Sequence, residues 1–464
     1  MTEHRFAPAA LAAALLASGC MSLAPRYDRP AAPVASAFPM DTSPAASQPA
    51  ASEIEWQAFF RDERLQRLIG IALSHNRDLR IAAANIEQAR AQYGVRRADA
   101  WPGVGVAAGA SRQPSAGPDD GITSVYTAGL AVTAWELDFF GRIRSLSDAA
   151  LAQALATEEA RKATQMSVIA AVAATDLALR ADDELLAVTR ETLATREESM
   201  TLTKLKFDHG AASEIDFRQA QSLVESARVA LAQQTRQRAL DENALVLLLG
   251  QPLPSDLPVA GSTADPLLIA DLPAGMPSEV LTRRPDVRAA EQQLIAANAN
   301  IGAARAAFFP RITLTGSVGS ASSELSGLFK SGSLAWSFAP QLLLPIFDAG
   351  RNQGNLDAAR AGREIAVAQY ERAIQTAFRE VADALAGRAT LGEQVRAQRA
   401  QMEAESVRHR LADLRYRNGA ASYLDVLDAQ RALFASQQAL VQAQLQQAQN
   451  LVTLYKVLGG GWRP

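Results

Sequence analysis

The chain has a single cysteine, Cys20, among 464 residues. That excludes an internal disulfide and any metal site needing two thiolates. Histidine is nearly as scarce: beyond the N-terminal segment there are only His75, His209 and His409, scattered without the spacing of metal ligands. Basic residues do not exceed acidic ones, 46 Lys and Arg against 49 Asp and Glu, so no basic face for nucleic acid is implied. Aromatics make up 6% of the chain while Ala, Leu, Gln and Arg are abundant, a balance that favours long helices. No run of about 18 apolar residues occurs, so no membrane-spanning helix is expected. No nucleophile is paired with a base. The Gly-rich GVGVAAG at 103–109 follows a proline and lacks the lysine of a phosphate loop, so no enzyme and no cofactor are expected. The last absence concerns chain breakers. Neither Gly nor Pro occurs from Arg142 to His209, so one helix of roughly 100 Å can form there at 1.5 Å per residue.

What is present begins at the N-terminus. APAALAAALLASG at 7–19 follows Arg5, is too short to cross a bilayer, and reads as a signal-peptide core ending in small residues. Leu16 to Cys20 resemble a lipobox, with Ala17 where leucine is usual, so Cys20 is the expected lipidation site. A lipid there adds apolar anchoring of about 0.8 kcal/mol per buried CH₂. Residues 24–52 are rich in Pro, Ala and Ser and read as an extended arm.

The rest of the chain is written twice. NGAASYLDVLDAQ at 418–430 matches HGAASEIDFRQAQ at 209–221 at seven of thirteen positions. RDLR at 77–80 aligns with PDVR at 285–288, and FFGR at 139–142 with DAGR at 348–351; the offset moves once, from 208 to 209. Val172, Leu179, Leu186, Leu193, Met200 and Phe207 recur every seventh residue, the spacing of a coiled-coil seam. Phe217, Val224, Leu231, Arg238 and Leu245 continue it, as do Val426, Leu433, Leu440, Gln447 and Leu454 in the second copy. Gly210 and Gly419 suit a left-handed residue ending a helix, and Ser213 with Asp216 and Ser422 with Asp425 have capping-box spacing. The expected organisation is a signal peptide at 1–19, a lipidated arm at 20–54, a first repeat at 55–250, a linker at 251–277 and a second repeat at 278–464.

Each repeat also holds two short β-rich stretches, at 101–112 and 123–138 and again at 310–320 and 333–348. Ile312, Leu314, Gly316 and Val318 alternate with polar or small residues, the period of a strand. Strands of this length with one apolar face suit a membrane β-barrel, although segment periodicity equally allows hairpins in a water-exposed sheet. Four strands cannot close a barrel, and lipid tolerates no open edge. A membrane reading therefore requires an oligomer, with twelve strands in a trimer. The expected class is mainly α with a small β part: long coiled-coil helices forming a tube, continued by the barrel.

WELDFFGRIR at 135–144, GMPSEVLTRRPDVRAAE at 275–291, LPIFDAGR at 344–351 and RYRNGAASYLDVLDAQR at 415–431 resemble the TolC/OprM family of outer-membrane efflux proteins, in its lipoprotein (NodT-type) branch. The resemblance covers roughly residues 55–460. It implies a homotrimeric channel-tunnel in the outer membrane with its α-barrel in the periplasm. It also implies docking to a periplasmic adaptor and an inner-membrane pump, usually of the proton-driven resistance-nodulation-division type. A lipid-tethered periplasmic scaffold and an exit duct for secreted polypeptides are the competing readings.

Differences between the copies point to the gate. Asp428 stands where the first copy has Gln219, Arg417 replaces Asp208 and Tyr416 replaces Phe207. A charge present in one copy only is not required by the shared fold. Asp425 and Asp428 are three apart, hence on one helix face. Around a threefold axis they would form a carboxylate ring, which favours cations. The resemblance agrees, placing a constriction in the VLDAQ segment braced by the preceding arginine and tyrosine, Arg417 and Tyr416. The tips, Gly210 to Ser213 and Gly419 to Ser422, are by resemblance the adaptor-docking sites.

Overall fold

The computed structural model describes residues 22–39, 51–114, 121–262, 268, 272 and 281–462. The signal peptide, Cys20 and part of the expected linker lie outside them. The order of the main elements is α1 (Glu63–His75), α2 (Arg77–Ala98), β1 (Val104–Pro114), β2 (Ile122–Leu137), α3 (Arg142–Asp208), α4 (Glu214–Leu249), α5 (Pro285–Ala306), β3 (Arg311–Ser322), β4 (Leu334–Leu343), α6 (Arg351–Arg417) and α7 (Tyr423–Val457). The two long helices, α3 and α6, each have 67 residues. α3 matches the span that the missing glycines and prolines allow, whereas α6 lacks proline but runs through Gly354, Gly362, Gly387 and Gly392.

The first repeat opens with two helices, because Asn76 between them is extended (φ −60, ψ 133). Its Oδ1 accepts from the backbone N–H of Asp78 and Leu79, and its Nδ2 donates to the Leu248 carbonyl at 2.8 Å. Asparagine ends one helix and caps the next by offering its side chain to the backbone. In the second repeat the corresponding break is at Arg284, followed by Pro285 at the first helical position, where a missing N–H costs nothing.

The chain forms two compact units, each drawing on both repeats. The first comprises Met1–Ala31, Ala84–Glu158 and Ala289–Arg372. It contains one antiparallel sheet in the order β1-β2-β3-β4. Register sorts its side chains into two faces. Val104, Val106, Leu130, Val132, Val318, Trp336, Phe338 and Leu342 share one face, and Thr127, Thr313, Thr315, Ser317, Ser337 and Gln341 the other. The apolar face is uncovered: Val106 is 83% exposed and Trp336 75%. Along β1 every residue is exposed on both faces. On the polar face Gly129 opposes Gly319, and a Cβ at Gly129 would lie 2.6 Å from the Gly319 Cα. The strands pinch together there, which only glycine permits. A bulge follows between Val132 and Trp135, with Ala134 at φ 51 and its N–H donating to Thr315 Oγ1 at 3.2 Å. In the same unit the arm lies along α5. Arg305 and Asn298 donate to the carbonyls of Leu23 and Pro25, while Arg29 and Tyr27 bond Glu291.

The second unit, Ala32–Ala83, Glu159–Arg288 and Ala373–Pro464, holds the main core. Phe59 stacks on Tyr455 with centroids 4.0 Å apart, surrounded by buried Leu68, Val172, Leu245 and Leu454. The most deeply buried charges here are paired: Arg180, 2% exposed, binds Asp176 and Asp62, whereas buried Arg196 donates to the Leu223 carbonyl at 3.0 Å. The heptad seam of α3 is buried at Val172, Leu179 and Leu186, half-buried at Leu193 and Met200, and open at Phe207. Burial within one chain thus fades toward the hairpin tip.

Candidate functional site at the hairpin tips

Two helical hairpins, α3–α4 and α6–α7, turn in the same way. Ala211 N–H donates to the Lys206 carbonyl at 2.7 Å and Gly210 N–H to Phe207 at 2.9 Å; Ala420 to Arg415 at 2.8 Å and Gly419 to Tyr416 at 3.0 Å repeat this. Both are Schellman turns, with Gly210 at φ 72 and Gly419 at φ 71. Both next helices start with a full capping box, Ser213–Asp216 and Ser422–Asp425. One oxygen of Asp425 is spent on this cap: Oδ2 accepts from Ser422 N–H at 3.0 Å and Ser422 Oγ–H at 2.9 Å.

The tips pack through a small cluster. Ala220 and Leu223 of α4 meet Tyr423, Val426 and Leu427 of α7, with Met200, Ala412 and Tyr416 at the margin. Tyr416 is the polar hub. Lys206 donates to its hydroxyl at 2.9 Å and lies 4.5 Å from its ring centroid, and Tyr423 packs beside it at 5.3 Å. The Tyr423 hydroxyl in turn bonds Ser199 Oγ at 2.8 Å.

Asp428 projects from α7 with its side chain 61% exposed. Its partner is Arg408 of α6, which also binds Glu405 at 3.0 Å. The chain does not bring Arg417 to either aspartate: its Nε binds Asp413 one turn back at 2.8 Å. Half-buried His409 lies nearby, its pKa lowered by burial against the opposing pull of Asp413. The Arg408–Asp428 pair escaped sequence reading, although a signal existed. Each lies ten residues from Asn418, and an antiparallel hairpin sets residues equidistant from its turn opposite one another. The first copy has Ser199 and Gln219 there, so this ion pair belongs to the second hairpin alone.

The comparisons with known proteins bear on the whole of this architecture. The family model "Outer membrane efflux protein" matches residues 68–251 and 276–460, one match per repeat. The chain belongs to the outer membrane efflux protein family. Among its relatives, the solvent efflux pump outer membrane protein SrpC of Pseudomonas putida is 50% identical over 463 residues, 97% of both chains. The outer membrane protein OprJ of Pseudomonas aeruginosa is 46% identical over all of this chain and 97% of its own. Among solved structures, the open state of the MtrE outer membrane channel of Neisseria gonorrhoeae superposes with a TM-score of 0.88 at 43% identity, covering 96% of this chain and 99% of that one. The CusC structure follows at a TM-score of 0.85 and 40% identity, covering 95% of this chain and all of that one. This efflux protein is the outer-membrane channel component of an efflux pump, a transport channel and not a member of an enzyme class.

Proposed function

We propose that the efflux protein works as a homotrimer, a passive exit duct for small molecules, with its gate at the hairpin tips. One observation carries the trimer: a four-stranded sheet leaves both faces and both edges uncovered, and its apolar face is where lipid would be. Three such sheets joined edge to edge give twelve strands with no open edge, the condition for a barrel in hydrocarbon. The polar face, drawn together at Gly129 and Gly319, then lines the lumen. The helices continue the duct into the periplasm, and a lipid on Cys20 holds the arm to the outer membrane.

Asp425 and Asp428 form the constriction. Asp428 is paired with Arg408 across the hairpin, whereas Asp425 shares its charge with a helix cap. Tyr416 braces the closed tip through Lys206 and Tyr423, and Arg417 does so through Asp413, which stiffens the last turn of α6. Gly210, Ser213, Gly419 and Ser422 present the turns to a periplasmic adaptor, and the adaptor couples the duct to an inner-membrane pump of the resistance-nodulation-division type. Relatives are named for the efflux of solvents, toluene and antibiotics, which supports small apolar cargo and disfavours polypeptide export. Planar-bilayer conductance tests the gate. Asp428→Ala with Arg417→Ala should raise single-channel conductance at least severalfold over the closed wild type. Unchanged conductance in a properly assembled double variant would reject this gate.

A further inference from the structure

Within the chain, the two hairpins meet through one flank of each. Positions 209 apart are equivalent throughout them: α3 and α6 end at Asp208 and Arg417, and the capping boxes start at Ser213 and Ser422. The α3 flank meets α7 and the end of α6. Ala181 and Leu185 pack on Val441, Ser199 bonds Tyr423, and Lys206 bonds Tyr416.

The opposite flanks, on α4 and α6, are bare among the described residues. Ala181, Leu185, Tyr423 and Val441 are buried, whereas their counterparts Thr390, Gln394, Glu214 and Ala232 are exposed. Leu240 of α4 is 53% exposed, yet its counterpart Gln449 reaches the Ala174 carbonyl of α3 at 3.1 Å. A leucine left in water on the face that its twin uses for helix packing marks a surface that another element covers.

Three chains place six hairpins round an axis. When the step from the first hairpin to the second is repeated from the second to the first of the next copy, the ring closes and every contact between the hairpins recurs between chains. Ser199 with Tyr423 becomes Arg408 with Glu214 of the partner subunit, an ion pair in place of two hydroxyls. Lys206, 4.5 Å from the Tyr416 ring centroid, becomes Arg415 over the partner subunit's Phe207, again a cation on an aromatic face. Ala181 and Leu185 with Val441 become Thr390 and Gln394 with Ala232 of the partner subunit, small and uncharged. Arg196 over Phe434 becomes Glu405 facing Glu225 of the partner subunit. That pair of like charges is tolerable, because each already has an arginine inside its own chain, Arg408 at 3.0 Å and Arg228 at 2.8 Å.

We propose that the α6 flank of one chain docks on the α4 flank of a second copy in this register, with Arg408 paired to Glu214 of the partner subunit. The inference rests on the trimer proposed above and adds which residues meet across it. Arg408 then serves two carboxylates, Asp428 in its own hairpin and Glu214 of the partner subunit. The counter-charge of the candidate constriction is thereby held at the subunit boundary, and parting of the hairpins leaves Arg408 to its own chain.

The test is cross-linking of Glu214→Cys/Arg408→Cys in outer membranes with a short bis-maleimide, read on a denaturing gel. Each single variant, which retains Cys20, is the blank. Bands of two- and three-chain mass should appear, at least fivefold stronger than from Glu214→Cys/Arg410→Cys, whose second cysteine is two residues on and faces the other side of α6. Equal yields from the two, or a cross-link confined to the mass of one chain, overturns the register. Light scattering separates the causes of failure. A double variant of three-chain mass without the cross-link rejects this docking and leaves the trimer, whereas a wild type of one or two chains rejects both. If Glu214→Cys/Arg408→Cys alone fails to assemble, Ala232→Cys/Gln394→Cys, at two exposed positions farther from the tip, decides on the same gel. Bands of two- and three-chain mass from it uphold the register, and their absence rejects it.

Discussion

At the scale of single residues, the most informative side chains are those whose partners differ between the repeats. Arg408 neutralises Asp428 across the α6–α7 hairpin, whereas the first hairpin has no charge at either place. Arg408→Ala should therefore leave assembly intact and increase the cation selectivity of the channel, measured as reversal potential under a salt gradient. An unchanged reversal potential would separate Asp428 from the ion path. A second residue titrates in a useful range. Burial pushes the Asp182 carboxyl up to about 7, helped by its bond to Asp241 and by the charges of Asp241 and Asp183, with Arg238 opposing. A folded pKa raised above the unfolded value gives stability that is complete below the unfolded pKa and lost as pH rises through about 7. Asp182→Asn removes that loss. Its Tm relative to wild type should rise between pH 5 and pH 9, and a flat difference would contradict the buried acid. The candidate gate residues were legible as differences between the copies, Asp428 against Gln219 and Arg417 against Asp208, but their partners within the chain, Arg408 and Asp413, were not. Sequence alignment shows which residues differ between copies, whereas a salt bridge depends on helix phase and side-chain reach.

At the scale of elements, boundaries were readable wherever local chemistry sets them. Gly210 and Gly419 end helices through backbone freedom, and the Ser–Asp boxes start the next ones. Ser422→Ala should cost about 0.5–2 kcal/mol, the usual range for a lost cap, visible as a lower Tm. The break at Asn76 was not readable in the first repeat, because asparagine is only a weak helix breaker. Pro285 at the aligned place in the second repeat carried the signal, and the common fold transfers it. Strand faces were readable from period two, but the close approach at Gly129 depends on pairing with a strand far away in sequence. Gly129→Ala should sharply reduce the yield of assembled protein in the outer membrane, because its Cβ would meet the Val318 carbonyl oxygen at 2.4 Å. Gly105→Ala, on the same sheet face with open space around it, should be tolerated. Equal yields from the two would contradict the pinched face.

At the scale of the whole molecule, the chain looks unfinished by itself. The heptad seam is well covered at Val172 and open at Phe207, the tip cluster is small, and the sheet has hydrophobic side chains facing outward and, among the described residues, no partner at either edge. Each feature is costly in an isolated chain and is relieved by copies of the same chain around an axis. The most direct measurement is the detergent-corrected mass of the protein extracted from outer membranes, by light scattering. A mass of three chains, giving twelve strands, is the predicted result. A monomer or dimer that remains stable after detergent removal would contradict the closed channel.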